Sequence, residues 1–344
     1  MRRLTPVTSM AALLVTASLL LAGCGGDDKE PQSQETGPSG QQVAGGGEIN
    51  QTWPLTGLAA ASGDSVEKTH PVMVLKMDNT YSSAPQKGLS HADMVVEELV
   101  EGGLTRLAAF FYSDIPGVVG PVRSMRASDI GIVSPVGADV VTSGAAPVTI
   151  RRITGAGIKF FGESTKGFAR DSSRTAPYNL MANLTSVVST IKQKAERPDD
   201  YLPWGDESDF AKKGPVANKI AAVFGGGHTT NWSYTKGAGT YTNLNTFAAK
   251  GDEFKPDTVL VLRVKVGDAG YKDPAGNPVP ETKLMGKGPA MIFHDGRMMR
   301  ATWHKTSLDG ALSFTGKDGD VKIPAGHTWI ELVPADNGNV TFTK

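Results

Sequence analysis

The sequence predicts an α/β (α+β) N-terminal domain followed by a smaller, mostly-β C-terminal domain. Three observations carry that prediction. Between Trp53 and Arg197, short apolar runs of strand type alternate with segments of helical periodicity. From about Thr229 the texture changes to short stretches rich in Val, Thr, Tyr, Trp and Phe, separated by Gly, Asp, Asn and Pro. Gly (41) and Pro (21) among 344 residues exceed ordinary usage and place many turns between elements.

Taken in order, residues 71–77 are a short apolar run closed by Asp78-Asn79, as expected of a buried strand. Residues 93–100 and 104–112 flank Gly102-Gly103 and are expected as two strands about a tight turn, although the first also fits a helix. Residues 138–142 form another strand candidate ending in Ser143-Gly144. Asn183 is a good N-cap for a helix over 184–196, which gathers Leu184, Val187, Val188, Ile191 and Ala195 on one face and stops at Pro198. Residues 198–227 form a Pro/Gly/Asp-rich connector. The C-terminal strands are expected at 231–234, 239–242, 258–266, 290–294, 298–303, 311–315 and 328–333. Hairpin turns fall at His294-Asp295-Gly296-Arg297 and Lys317-Asp318-Gly319-Asp320.

The first residues are a processing signal. Arg2 and Arg3 precede an apolar stretch over 10–22, too short for a spanning helix of ~20 residues. It ends in Leu21-Ala22-Gly23-Cys24, which resembles a bacterial lipobox, and the chain's one cysteine stands at the modified position. Such a segment is cut after Gly23, with diacylglyceryl attached to the Cys24 thiol and further acylation of the new amine. Several chains at ~0.8 kcal/mol per buried CH2 anchor stably. Residues 24–52 hold almost no apolar side chains and are expected as a disordered tether. The division is therefore 1–23 signal peptide, 24–52 tether, 53–197 N-terminal domain, 198–227 connector and 228–344 C-terminal domain. The folded part is expected on the outer, extracytoplasmic face of the cell membrane.

Charge and composition exclude several classes. The 35 basic and 35 acidic residues balance, and removing the signal leaves 33 against 35, so nothing favours nucleic acid. A single cysteine excludes an intramolecular disulfide framework, a four-cysteine zinc site and a CxxC centre. No HExxH or His-rich tract indicates a metal, and no Walker loop or other cofactor motif is present. Ser124 and Ser143 lack the nucleophile-elbow context, and His70 and His91 are expected as surface residues. Trp303-His304-Lys305 and Trp329 suit a core more than an aromatic platform.

Chemistry-bearing residues are densest in the first half. Asp78-Asn79 ends a strand. Glu101 and Arg106 bracket an EGGLTR segment, and Arg123 and Arg126 stand in GPVRSMR. Ser143 follows a strand, and Arg170, Asp171 and Arg174 lie in FARDSSRTAPYNL. Guanidinium forks recognise carboxylates and phosphates, so these ten residues are the expected lining of a cleft for an anionic or glycan-type ligand. The competing reading is that the arginines pair with Glu97, Glu101, Asp129 and Asp171 to hold loops together.

The sequence resembles the YerB-like lipoprotein family, domain-of-unknown-function family 3048. The resemblance rests on WPLTG (53–57), MDNTYSSAPQKGLSHADMVVEELVEGGLTRLAAFF (77–111), GPVRSMR (120–126) and RDSSRTAPYNL (170–180). MGKGPAMIFHDGRMMRATWHK (285–305) and DGDVKIPAGHTWIELVP (318–334) carry it through the second half. It implies two domains and lipid attachment, and no established reaction. Family members often carry Asn where this chain has Trp53, and His where it has Tyr178, which counts against an enzyme using that His.

The leading expectation is thus a lipid-anchored accessory or binding protein of the cell envelope, with peptidoglycan or an envelope protein as partner. An envelope-polymer hydrolase or transferase using Glu97, Glu101 or Asp171 is the alternative. A solute-binding receptor and a structural scaffold follow.

Overall fold

The computed structural model describes residues 51–210 and 214–344, which form one compact unit. The signal segment, Cys24 and nearly all of the tether lie outside the described residues.

The N-terminal segment contributes β1 (Met73–Asp78), β2 (Met94–Leu99), β3 (Thr105–Phe111), β4 (Asp139–Val141), β5 (Phe160–Phe161), β6 (Phe168–Arg170) and β7 (Leu180–Ala182). Its helices are short: α1 (Asp129–Val133), α2 (Pro147–Gly155) and α3 (Leu184–Val188). Within 198–227 lie β8 (Trp204–Gly205), α4 (Glu207–Phe210) and β9 (Lys219–Val223). Then come β10 (Thr229–Thr235), β11 (Thr240–Asn243), β12 (Thr258–Lys272), β13 (Pro278–Lys283), β14 (Gly286–His294) and β15 (Arg297–Lys305). The chain closes with β16 (Ser313–Gly316), β17 (Gly319–Asp320), β18 (Ile323–Pro324), β19 (Thr328–Pro334) and β20 (Asn339–Thr343).

Among the described residues, twelve strands form one mixed sheet in the order β17-β16-β15-β14-β12-β19-β2-β3-β1-β4-β5, with β13 paired to β12 off that path. The first and second halves meet inside it, where β19 runs parallel to β2 over Thr328–Glu331 and Met94–Glu97. β9, β10, β11 and β20 form a second antiparallel sheet. The fold is sheet-rich. The parallel β1–β4–β5 set, with α2 between β4 and β5, is α/β in character, but β3 pairs antiparallel to both β1 and β2.

The apolar runs follow from burial on both sheet faces. Side chains alternate with period two, so Val74, Val96, Ala108, Phe110, Leu260 and Ile330 enter one core. Leu75, Met77, Val95, Leu107, Phe111, Val259 and Trp329 enter the other, beneath the second sheet.

Two local expectations are corrected, for the helix after Asn183 and for His70, and the turn at Gly102-Gly103 is as expected. The helix after Asn183 is capped as foreseen, the side chain accepting from Ser186 N at 2.8 Å, but it ends at Val188. Ser189 and Thr190 hydroxyls fold back onto the Ser186 and Val187 carbonyls, and the chain continues to a bridge between Glu196 and Lys68. Gly102-Gly103 is a 3-10 turn over Glu101–Gly103 with both glycines in the left-handed region (φ 69° and 73°). His70 is buried beside Tyr112, whereas His91 is exposed and pairs with Asp114.

Candidate functional site

Strands β1, β2, β4 and β19 point the same way, so their carboxyl ends gather at one edge of the sheet, where ligands of open parallel sheets bind. The apolar runs break there with charged residues, and pleating sends them to opposite faces. Asp78, Arg106 and Glu98 are cross-strand neighbours on one face, joined by Lys76. Glu97 and Glu331 are neighbours on the other, with Thr105 and Asn79.

The first face carries the arginines. Residues 121–123 run alongside β1, Asp78 N donating to Pro121 O (3.1 Å) and Arg123 N to Lys76 O (2.7 Å). Arg123 Nε then reaches Asp78 Oδ2 at 2.8 Å, and its guanidinium lies 5.1 Å from the Tyr178 ring centre. Arg126 forks onto Glu101, with Nε to Oε1 at 2.5 Å and Nη2 to Oε2 at 2.7 Å. Burial alone would raise Glu101, but Arg126 holds it below the ordinary carboxylate value. Arg106 is 8% exposed. It donates to Ser124 O at 3.0 Å and stands 4.0 Å from Glu101 Oε2. Burial, then the like charge of Arg126 and Arg123, pushes Arg106 down to about 10. The Thr142 hydroxyl donates to Arg123 O and accepts from Gly144 N and Met125 N, which fixes the turn bearing Ser143. Ser143 is exposed, its hydroxyl 3.3 Å from that of Ser124.

Beneath this layer, Lys76 Nζ is fully buried, 2.6 Å from both Glu98 and Asp129. Asp129 Oδ2 also accepts from Arg126 N. Burial opposes the charge on Lys76, yet Asp129 and Glu98 hold its pKa above the ordinary value. Burial raises Glu98, with Lys76 opposing, and its Oε2 has no hydrogen-bond partner among the described residues.

Asp78, Asn79, Glu101, Arg106, Arg123, Arg126 and Ser143 thus converge on the strand ends. Asn79 turns to the opposite face, donating to Glu97 and Thr105. Arg170 is exposed and occupied by Glu163 and Asn179. Arg174 pairs with Asp171 and donates to the carbonyls of Ser83 and Pro85, so it staples the Tyr178 loop to the turn after Asp78. Trp303, Lys305 and Trp329 are core residues, each about 2% exposed. A groove of about 1160 Å³ lies elsewhere, between Met298–Thr302 and Thr315–Lys322.

On the opposite face the sequence singled out Asn79 and Glu97 but not Glu331, Thr105 or Thr230. Glu97 Oε1 accepts from Asn79 Nδ2 (2.9 Å), Thr105 Oγ1 (2.7 Å) and His228 Nε2 (2.9 Å), and Oε2 accepts from Thr230 Oγ1 (2.9 Å). Glu331 Oε1 accepts from Trp232 Nε1 at 2.8 Å. Both glutamates are fully buried. Burial opposes the Glu97 charge, but His228 and Thr105 hold it ionised. Burial and then the charge of Glu97 push Glu331 well up, so Glu331 keeps its proton; its Oε2 has no hydrogen-bond partner among the described residues. Gly227 lets the chain reach this cluster, since a Cβ there would sit 2.5 Å from Gly103 O. The legible signal was a charge inside each apolar strand, such as Lys76 in MVLKMD and Glu331 in TWIELVP, because a charge in a doubly covered strand requires a partner.

His228 supplies a pH test. Burial opposes its charge, yet Glu97 raises its pKa above the ordinary 6.5. Its stabilisation is complete below about pH 6.5 and lost as pH rises through the raised value. The melting-temperature deficit of His228→Gln relative to wild type should therefore shrink between pH 6 and pH 9. A deficit constant across that range would mean that His228 is not charged in the fold.

With this architecture in view, residues 55–197 match the family described as "Protein of unknown function (DUF3048) N-terminal domain" and residues 220–330 its C-terminal domain. The chain belongs to the DUF3048 family. It is 28% identical over 291 residues to "Putative lipoprotein YerB" of Bacillus subtilis (strain 168), covering 82% of this chain and 86% of that protein. The crystal structure of YerB from Bacillus subtilis superposes with a TM-score of 0.69 at 21% identity, over 84% of this chain and 99% of that one. This DUF3048 chain and that protein therefore share a fold. The two halves of the chain meet in the β2–β19 strand pair, where Glu97 and Glu331 stand opposite each other in the register. No helix among the described residues is long and apolar enough to cross a membrane, and none of their acidic, His or Cys groups forms a metal-holding cluster.

Proposed function

We propose that this protein is a lipid-anchored accessory protein of the cell envelope that binds an anionic ligand at the carboxyl edge of its central sheet. The observation that carries the reading is Arg106. Three guanidiniums, Arg106, Arg123 and Arg126, face two carboxylates, Asp78 and Glu101, each already engaged by one of the other two arginines. Arg106 is left with a main-chain carbonyl and a carboxylate 4.0 Å away. A buried, incompletely neutralised guanidinium next to paired serine hydroxyls is a fitting seat for a carboxylate or phosphate oxygen. The anchoring half of the proposal rests on Leu21-Ala22-Gly23-Cys24 and on the relative named as a lipoprotein. The mature chain begins at Cys24, residues 24–52 are the tether, and the fold stands on the outer face.

The geometry weighs against acid/base catalysis. Glu97 is sealed from solvent, and Glu101 is held ionised by Arg126 and cannot act as an acid. The sheet running through both halves has no two-lobed division of the kind a solute receptor uses.

The test is retention on purified cell-wall material and anionic resins, using the full chain in uncharged polyoxyethylene detergent. Wild type should be retained, and Arg123→Gln should lose at least about tenfold in affinity, as expected for removing a charge-assisted contact of ~1.4 kcal/mol or more. In fractionated cells Cys24→Ser should leave the membrane pellet. Equal retention of wild type and Arg123→Gln would reject the site, and Cys24→Ser remaining in the pellet would reject the anchor.

A further inference from the structure

Resting on that anion-site reading, we infer that the ligand presents a single negative charge on a hydroxylated ring, a carboxylated sugar or a sugar phosphodiester.

The charge count sets the single charge. In the upper layer Arg106, Arg123 and Arg126 outnumber Asp78 and Glu101 by one. The lower layer adds Lys76, Asp129 and Glu98, and Glu98 stands directly across the strand from Arg106. Glu98 is fully buried, has a partnerless Oε2, and is pushed towards its protonated form by burial. With that proton in place Lys76 and Asp129 cancel, and one positive charge remains, centred on Arg106. A singly charged oxyanion closes the balance. A doubly charged phosphomonoester would leave an excess anion against Asp78 and Glu101, and a neutral sugar would leave Arg106 uncompensated.

The surroundings set the ring. Tyr178 lies against the Arg123 guanidinium. Tyr81, on the turn that follows Asp78, is 84% exposed. Arg174 ties the loops of both tyrosines together through Ser83 and Pro85. A pyranose has an apolar C–H face for such rings and a rim of hydroxyls for Ser124 and Ser143.

The experiment compares four probes on the full chain in uncharged polyoxyethylene detergent at pH 8, by saturation-transfer NMR and calorimetry. These are methyl glucuronide, methyl glucoside, glucose 1-phosphate (mostly dianionic above a second pKa of about 6) and its methyl diester. The two monoanions should bind about tenfold or more tighter than the glucoside and the dianion, and their ranking identifies carboxylate or phosphodiester. Arg106→Gln, with the more exposed Arg123→Gln as a second variant should the first fail to fold, should abolish the preference. Tyr178→Ala should weaken methyl glucuronide severalfold and leave acetate unchanged. If glucose 1-phosphate binds tightest and loses binding in Arg123→Gln, the anion site stands and the single-charge assignment falls. A glucoside as tight as the glucuronide overturns it as well, and binding of no anion overturns both readings.

Discussion

Lys76→Met should destabilise the fold by about 3–5 kcal/mol, the cost of stripping one partner from a buried ionic cluster. Lys76 is the fully buried cation between Glu98 and Asp129, at 2.6 Å from each. Methionine matches its length but leaves two carboxyls facing each other without a counter-charge. The effect is therefore electrostatic, and a second substitution should relieve part of it. Lys76→Met with Asp129→Asn should recover a substantial share, because Asp129 is the carboxylate that Lys76 neutralises and the amide oxygen can still accept from Arg126 N. Urea midpoints at unchanged m-value are the measurement. A midpoint for Lys76→Met within error of wild type would show that the cluster is not ionised as described.

The second large effect concerns the opposite face, where two chemically identical side chains should respond unequally. Glu97 carries the charge and receives Asn79, Thr105, Thr230 and His228. Glu331 is neutral, accepting from Trp232 and standing opposite Glu97 in the strand register. Glu97→Gln replaces an ionised acceptor by an amide whose NH2 meets donors, and removes the counter-charge of His228. It should cost about 3 kcal/mol or more. Glu331→Gln keeps one donor and one acceptor in the same places and should cost under about 1 kcal/mol. Thermal unfolding at pH 6, where His228 is charged, measures both. The reverse ranking would place the proton on Glu97.

The second effect sits where the two halves of the chain meet, and the first on the opposite face of the same sheet. Asp78 and Asn79 are consecutive, yet the first holds Arg123 and the second holds Glu97. One dipeptide at the end of β1 therefore links the proposed ligand seat to the buried acid pair that joins β2 to β19.

Much of this was legible from composition and spacing. The apolar runs at 71–77, 93–100, 104–112 and 138–142 became β1–β4, since a strand covered on both faces must be apolar throughout. GPVRSMR and EGGLTR marked the residues that meet at the strand ends. Other features were hidden. Strands β9, β13 and β20 are short, weakly patterned and partly exposed, so local preference says little about them. Arg170 and Arg174 looked equivalent to Arg123 and Arg126, but the former pair holds loops. Chain order does not reveal which acid or carbonyl a flexible guanidinium will reach.

The sequence by itself determined buried strands in the first half, a mostly-β second half, a lipobox-like Cys24 ahead of a polar segment, and a resemblance to the DUF3048 family. Each is a local or compositional property. Only the tertiary structure decided which charges face each other. A pleated strand sends neighbouring residues to opposite faces, so Glu97 and Glu98, adjacent in sequence, serve different clusters. Their partners, Glu331 and His228 for one and Lys76 and Asp129 for the other, come from distant parts of the chain brought together by strand register and the packing of the second sheet.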